Sequence, residues 1–188
     1  MVNDFVRPNK NNKSRFLPII IFSFALGLLI ALGIKNFSPK RQTSEDIVQN
    51  AVLTLESDKD TVTRGEEFTV TMTLDSQNTE VAAADFVVHF DPKLLKVITV
   101  STGNYFSNYP LNITGDDYIK LSGVASFDGN TLVLPKGNGT IGSIKFQALN
   151  DKGNAVIKYN KTHTIVATSG KNIIDENKLA KIFVKVAP

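Results

Sequence analysis

From Ala51 onward, apolar and polar residues alternate with a period of two almost without interruption. The clearest case is Phe68, Val70, Met72 and Leu74, interleaved with Thr69, Thr71, Thr73 and Asp75. Successive side chains of a strand point to opposite faces, so this run predicts a strand with one core face and one polar face. The same reading places strands at about 51–56, 61–63, 67–75, 81–90, 95–101, 118–126, 131–134, 139–149, 154–159, 163–168 and 178–186. Turn residues punctuate them at Arg64-Gly65-Glu66, Asp128-Gly129-Asn130, Lys136-Gly137-Asn138-Gly139, Asp151-Lys152-Gly153-Asn154 and Ser169-Gly170-Lys171-Asn172. Ile141, Ile144, Phe146 and Ala148 form a second core row, with Gly142 marking a bulge. Short strands at this spacing, without an amphipathic helix, predict an all-β sandwich.

One strand breaks the usual division of labour. In residues 81–90, Ala82, Ala84, Phe86, Val88 and Phe90 form a row suited to the core. Val81, Ala83, Asp85, Val87 and His89 form the opposite row, which is small and apolar for a face in water. It reads as a protein-contact surface with one charged anchor, rather than a face roofed by the chain's own loops, such as Gly103–Pro110.

The N-terminus follows a different pattern. Residues 16–34, FLPIIIFSFALGLLIALGI, are uncharged and mostly apolar between Arg15 and Lys35. As a helix they span roughly 28 Å, close to the thickness of a bilayer's hydrocarbon core. Arg7, Lys10, Lys13 and Arg15 precede them, which puts residues 1–15 in the cytoplasm and the rest outside. A retained single-pass anchor is favoured over a cleaved signal peptide, because the run is long and Ala31-Leu32-Gly33 is a poor cleavage site. Residues 35–50, which include Pro39, read as a polar linker. The expected localisation is therefore the cell membrane, with the C-terminal domain extracytoplasmic.

Charge then changes the picture of partners. The chain of 188 residues has a net charge of +3, which points at first to an anionic partner. Residues 1–42, however, hold seven Lys/Arg against one acid, while the other 14 bases meet 17 acids in the remainder. The sandwich is thus mildly acidic and has no basic stripe for nucleic acid. The absence of cysteine excludes disulfides, thiolate metal sites and cysteine nucleophiles.

Candidate chemistry is thin. His89 and Asp91 lie on one strand face, but no third ligand stands at a recognisable spacing, and His163 is 74 residues away. Asp91-Pro92 reads instead as a turn. No Gly-x-Ser-x-Gly elbow supports a hydrolase triad, and Asp116-Asp117 reads as a solvated turn rather than a glycosidase carboxylate. Asp58-Lys59-Asp60 starts like a calcium loop and then departs from it, with its glycine at position 65. The aromatic cluster Tyr105, Phe106 and Tyr109 has two readings: a platform for sugar rings, or a lid over the core.

Three stretches carry a family resemblance. They are Val62-Thr63-Arg64-Gly65-Glu66-Glu67-Phe68-Thr69-Val70, then residues 81–95 with the ending Phe90-Asp91-Pro92-Lys93-Leu94-Leu95, and Gly139-Thr140-Ile141-Gly142-Ser143-Ile144-Lys145-Phe146. With the closing strand at 178–186, their order resembles the cohesin domain of bacterial cellulosome scaffolds over residues 51–187. The resemblance implies a nine-stranded jelly-roll β-sandwich without catalytic activity. It also implies binding of dockerins, which are calcium-folded helical modules usually attached to polysaccharide-degrading enzymes. No cofactor is then expected on this chain; a single bound calcium stays an open alternative, with the dockerin partner its favoured place. In the family the third strand offers an outward Asn and Asp to the partner; here Asp85 keeps the acid and Ala83 stands at the Asn position.

The resulting expectation is a membrane-anchored binding module that docks a dockerin-like module or another cell-surface protein through Ala83, Asp85, Val87 and His89. The alternative is polysaccharide binding through Tyr105, Phe106 and Tyr109.

Overall fold

The computed structural model describes residues 51–150 and 152–188. The expected cytoplasmic segment 1–15, membrane anchor 16–34 and linker 35–50 lie outside the described residues. Among those described, no helix is long and apolar enough to cross a membrane.

The described chain is all-β apart from one 3-10 turn at Glu176–Lys178. Its strands are β1 (Val52–Ser57), β2 (Thr61–Thr63), β3 (Glu67–Asp75), β4 (Ala83–His89), β5 (Leu95–Thr102), β6 (Asn108–Thr114) and β7 (Tyr118–Val124). They continue as β8 (Ser126–Asp128), β9 (Thr131–Val133), β10 (Asn138–Ala148), β11 (Gly153–Tyr159), β12 (Ile165–Thr168), β13 (Lys171–Asn172) and β14 (Lys181–Ala187). Fourteen segments replace the expected nine because β2, β8, β9, β12 and β13 are short pieces of four residues or fewer.

Two sheets form the sandwich. The smaller runs β1-β3-β10-β5. In the larger, β4 pairs with β7 on one side and with both β11 and β12 on the other; β6 flanks β7, and β14 lies between β11 and β2. β8 and β9 form a separate hairpin.

Alternation in β3 works as the sequence dictates. Phe68, Val70, Met72 and Leu74 are all buried, whereas Thr69, Thr71, Thr73 and Asp75 stay partly exposed. Phe68 stacks on Phe146 of β10 at 5.6 Å between ring centroids, and Phe90 meets Phe146 edge-on at 5.3 Å, which joins the two sheets. A fully buried side chain of this size stabilises the fold by about 1.5–3 kcal/mol. The Tyr159 hydroxyl of β11 crosses the core and donates to the Thr54 carbonyl of β1 at 3.1 Å. Burial pushes that phenol far above its ordinary range, so it remains a neutral donor.

The bulge expected near Gly142 is present: β10 slips against β3 between Thr140 and Gly142, leaving buried Ile141 as the extra residue. A Cβ on Gly142 would lie 2.5 Å from the Ser101 carbonyl oxygen, so this crossing needs glycine.

Two expectations about strands are corrected. The strand expected from residue 81 begins at Ala83; Val81 is buried and Ala82 exposed, the reverse of the expected faces. The reason lies upstream, where Gln77 and Asn78 turn the chain through positive φ and the Val81 N–H donates to Pro135 rather than to a strand of the sheet. Residues 108–114, expected as loop, form edge strand β6. Pro110 lacks an N–H to donate, which an edge tolerates, and the β6–β7 register shifts between Asn108 and Leu111 to accommodate it.

Candidate functional site: the outer face of the β4 sheet

Residues directly opposite one another in an antiparallel ladder share a face. Asp85 lies opposite Ser122 of β7 and Ile165 of β12, and Ser122 lies opposite Leu111 of β6. One step along, Val87 faces Lys120, which faces Ile113; a further step along, His89 faces Tyr118. The outer face is therefore a polar cluster flanked by aliphatic side chains, with Ile113 40% and Ile165 41% exposed.

Asp85 anchors the cluster as the sequence indicates, but it is satisfied within the chain. Lys120 Nζ donates to its Oδ2 at 2.8 Å, and Ser122 Oγ donates to its Oδ1 at 2.5 Å. Partial burial raises the carboxyl pKa, but those two hydrogen bonds and the lysine charge outweigh it and hold the group below the usual carboxylate range. Tyr118, Lys120 and Ser122 were not singled out in the sequence. Their alternation in β7 was legible, but the register that sets them beside β4 was not.

Val87 belongs to the outer row and is nevertheless only 6% exposed. The link between β11 and β12 runs beside it and shares a cleft with it. These two strands follow the same edge of β4, pairing Tyr159 with Val88 and then Ile165 with Asp85. Six steps along one chain match three along the other, so three extra residues are thrown out as a loop. Asn160 N–H donates to the Val87 carbonyl at 2.8 Å. Buried Thr164 replaces the missing ladder bonds: its Oγ1 accepts from Val87 N–H at 3.3 Å and donates to the Val87 carbonyl at 3.2 Å.

Beside this loop opens a cleft of about 360 Å³ lined by Val87, His89, Tyr118, Lys120, Asn160 and His163. It brings together the chain's two histidines, which sequence spacing gave no reason to connect. Asn160 Nδ2 lies 3.0 Å from His89 Nε2, and Asn160 Oδ1 lies 3.1 Å from His163 Nδ1. The other side of His89 faces Asp117, with Nδ1 3.5 Å from Oδ2. Ala83, the remaining expected contact residue, is half-buried at the opposite end of the strand, across from Val124 and Ala167.

Other candidates take structural roles. Asp91 Oδ1 accepts from Lys93 N–H at 2.9 Å and its carbonyl accepts from Leu94 and Leu95, so it builds the turn after β4. Asp58 Oδ1 accepts from Thr69 N–H, and Lys59 pairs with Glu66 at 2.7 Å. The Lys59 ammonium and the Thr63 N–H hold the Glu66 carboxyl down at about 2. Among the described residues no group of three or more His, Asp or Glu side chains is placed to hold a metal ion.

The sugar platform is corrected. Tyr105 and Phe106 are buried, meeting edge-on at 5.0 Å, and Phe106 also packs edge-on against half-buried Tyr109 at 5.8 Å. A Cβ on Gly123 would lie 2.2 Å from the Phe106 ring, so that glycine admits the ring into the sheet's inner face. Tyr105 and Phe106 thus belong to the core, with half-buried Tyr109 packed against them as a lid.

The described residues thus form a sandwich whose larger sheet carries aliphatic side chains on its outer face. The cohesin domain family model matches residues 53–186, and the chain belongs to that family, whose domains are binding modules without catalysis. Solved structures agree on the fold. The third cohesin of ScaC from Acetivibrio cellulolyticus, solved with the ScaB dockerin, has a TM-score of 0.54 at 15% identity, covering 73% of this chain and 100% of that one. The sixth cohesin of scaffoldin B from the same organism, solved with a Cel5 dockerin, has a TM-score of 0.56 at 17% identity, covering 72% and 99%. The cohesin module of a Clostridium perfringens family 33 glycoside hydrolase has a TM-score of 0.54 at 15% identity, covering 73% and 96%. No curated protein matches the chain.

Proposed function

We propose that this domain docks a dockerin-type module through the outer face of β12, β4, β7 and β6. The observation that carries the reading is the exposure of Ile113 and Ile165 on either side of the Asp85–Lys120–Ser122 cluster. Apolar side chains left in water around a self-satisfied polar centre suit a protein partner, which gains by covering them. Asp85 acts by fixing Lys120 and Ser122, since both of its oxygens already have donors. We further propose that residues 16–34 hold the domain on the outer side of a cell membrane, where it retains dockerin-bearing proteins such as polysaccharide-degrading enzymes.

The test is capture of a panel of dockerin modules by the full chain held in detergent. Ile165→Asp is expected to reduce capture at least about tenfold while leaving the melting temperature nearly unchanged, because it puts a charge on an exposed contact and not into the core. Failure of every dockerin to bind, or capture indifferent to this change, would remove the reading.

A further inference from the structure

Asn160 stands where the docking face meets the chain's two histidines, and its side-chain orientation is not arbitrary. Its Oδ1 accepts from Thr162 N–H at 2.9 Å and from His163 N–H at 3.0 Å, so the amide oxygen faces the loop. The amide nitrogen therefore faces His89 Nε2. Two donors cannot share a hydrogen bond, so this geometry requires an unprotonated Nε2 and puts the His89 proton on Nδ1, towards Asp117. His163 differs: its Nδ1 faces an acceptor and donates to it whether the ring is neutral or charged.

We propose that Asn160 is a positioning residue for the docking face and ties the shape of that face to the protonation of His89. This inference rests on the docking reading above. A proton on His89 Nε2 confronts the Asn160 amide nitrogen. Turning that amide over breaks the bonds that Oδ1 receives from Thr162, His163 and the His163 ring. The loop that loses these side-chain bonds keeps its backbone and Thr164 bonds to Val87, and it lines the cleft with Asn160 and His163. The charged and titratable groups around His89 are Asp117 from the β6–β7 turn, Lys120 of β7, Lys158 of β11, and Lys161 and His163 of the loop, with Tyr118 alongside at 6.1 Å between ring centroids. The hydrogen bond from Asn160 accepts only the neutral ring. Docking is competent above the His89 titration and weakens as pH falls through it.

The experiment combines nuclear magnetic resonance of the full chain in detergent with dockerin capture, both between about pH 7.5 and pH 5.5, across the ordinary imidazole range. His89 is expected as the Nδ1–H tautomer at the upper end. The Thr162 and His163 amide signals should move with the same midpoint as the His89 ring, and capture should fall roughly three- to tenfold, the worth of one net hydrogen bond. Asn160→Asp keeps the oxygen that serves the loop and replaces the opposing donor with an acceptor for a protonated His89. It should raise the His89 midpoint and abolish or reverse the loss of capture in acid. Amide signals that ignore the His89 titration, or an unchanged midpoint in Asn160→Asp, would overturn the proposal. If no dockerin binds at any pH while amides and ring still titrate together, the coupling stands and only the docking reading fails.

Discussion

β3 and β4 are both interior strands with a buried row of large apolar residues, yet only one keeps a clean alternation. In β3, every second residue is buried and every other one partly exposed, because its outer face meets water. In β4 the rhythm fails at Phe86-Val87-Val88, three buried residues in succession. Nothing in the backbone of β4 causes this. The β11–β12 loop bonds to the Val87 backbone and lines the cleft beside it, whereas the outer row of β3 holds Glu67, three threonines and Asp75. A break in alternation thus records matter on the second face, here partly the chain's own loop and, under the proposed function, partly a partner.

The largest test of this contrast is in the shared core. Phe68→Ala, which removes a ring stacked on Phe146, is expected to cost about 3–5 kcal/mol in urea unfolding. A loss below about 1 kcal/mol would mean that the inner row of β3 does not carry the core. Next comes the pair that isolates the outer faces. Val87→Ala should cost about 1–2 kcal/mol, whereas Thr71→Ala at the equivalent outer face of β3 should stay within about 0.5 kcal/mol. Equal and small effects would show that the loop adds no packing over β4. The smallest effect concerns Asp85, whose folded pKa lies below the ordinary carboxyl value of 3.8. Its contribution is therefore fully present above that ordinary value and is lost as pH falls through the lower folded value. Asp85→Asn should remove less than about 1 kcal/mol at neutral pH, since the pair with Lys120 is over a third exposed on the aspartate side, and should flatten this part of the acid dependence. An unaltered acid profile would mean that Lys120 and Ser122 do not hold the carboxylate.

The same contrast explains what the sequence disclosed. The β3 row, the β10 row and the Gly142 bulge were legible because local alternation and one glycine carry them. β6 was not: Pro110 and the exposure of both its faces erase the period-two signal, and its aromatic neighbours drew attention to a sugar platform that the buried Phe106 denies. The outer row of β4 was recognised in composition, with Asp85 and His89 placed on it correctly, but Val81 was assigned to it wrongly because the strand starts two residues later. The loop over Val87 and the meeting of His89 with His163 were invisible, as they depend on a pairing between segments more than seventy residues apart. Local pattern predicts which side of a strand is dry; it does not say what comes to lie on the other.

The position of β14 also has a consequence for how the domain is made. This last strand is inserted between β11 and β2, where Val184 and Val186 enter the core. A nascent chain that has reached Ala180 still has two open strand edges and a gap in its larger sheet. The fold is thus sealed from its end, after residues 61–63 have waited through the synthesis of more than a hundred others for their parallel neighbour. A domain closed in this order keeps its larger sheet open until β14 has joined both of its neighbours.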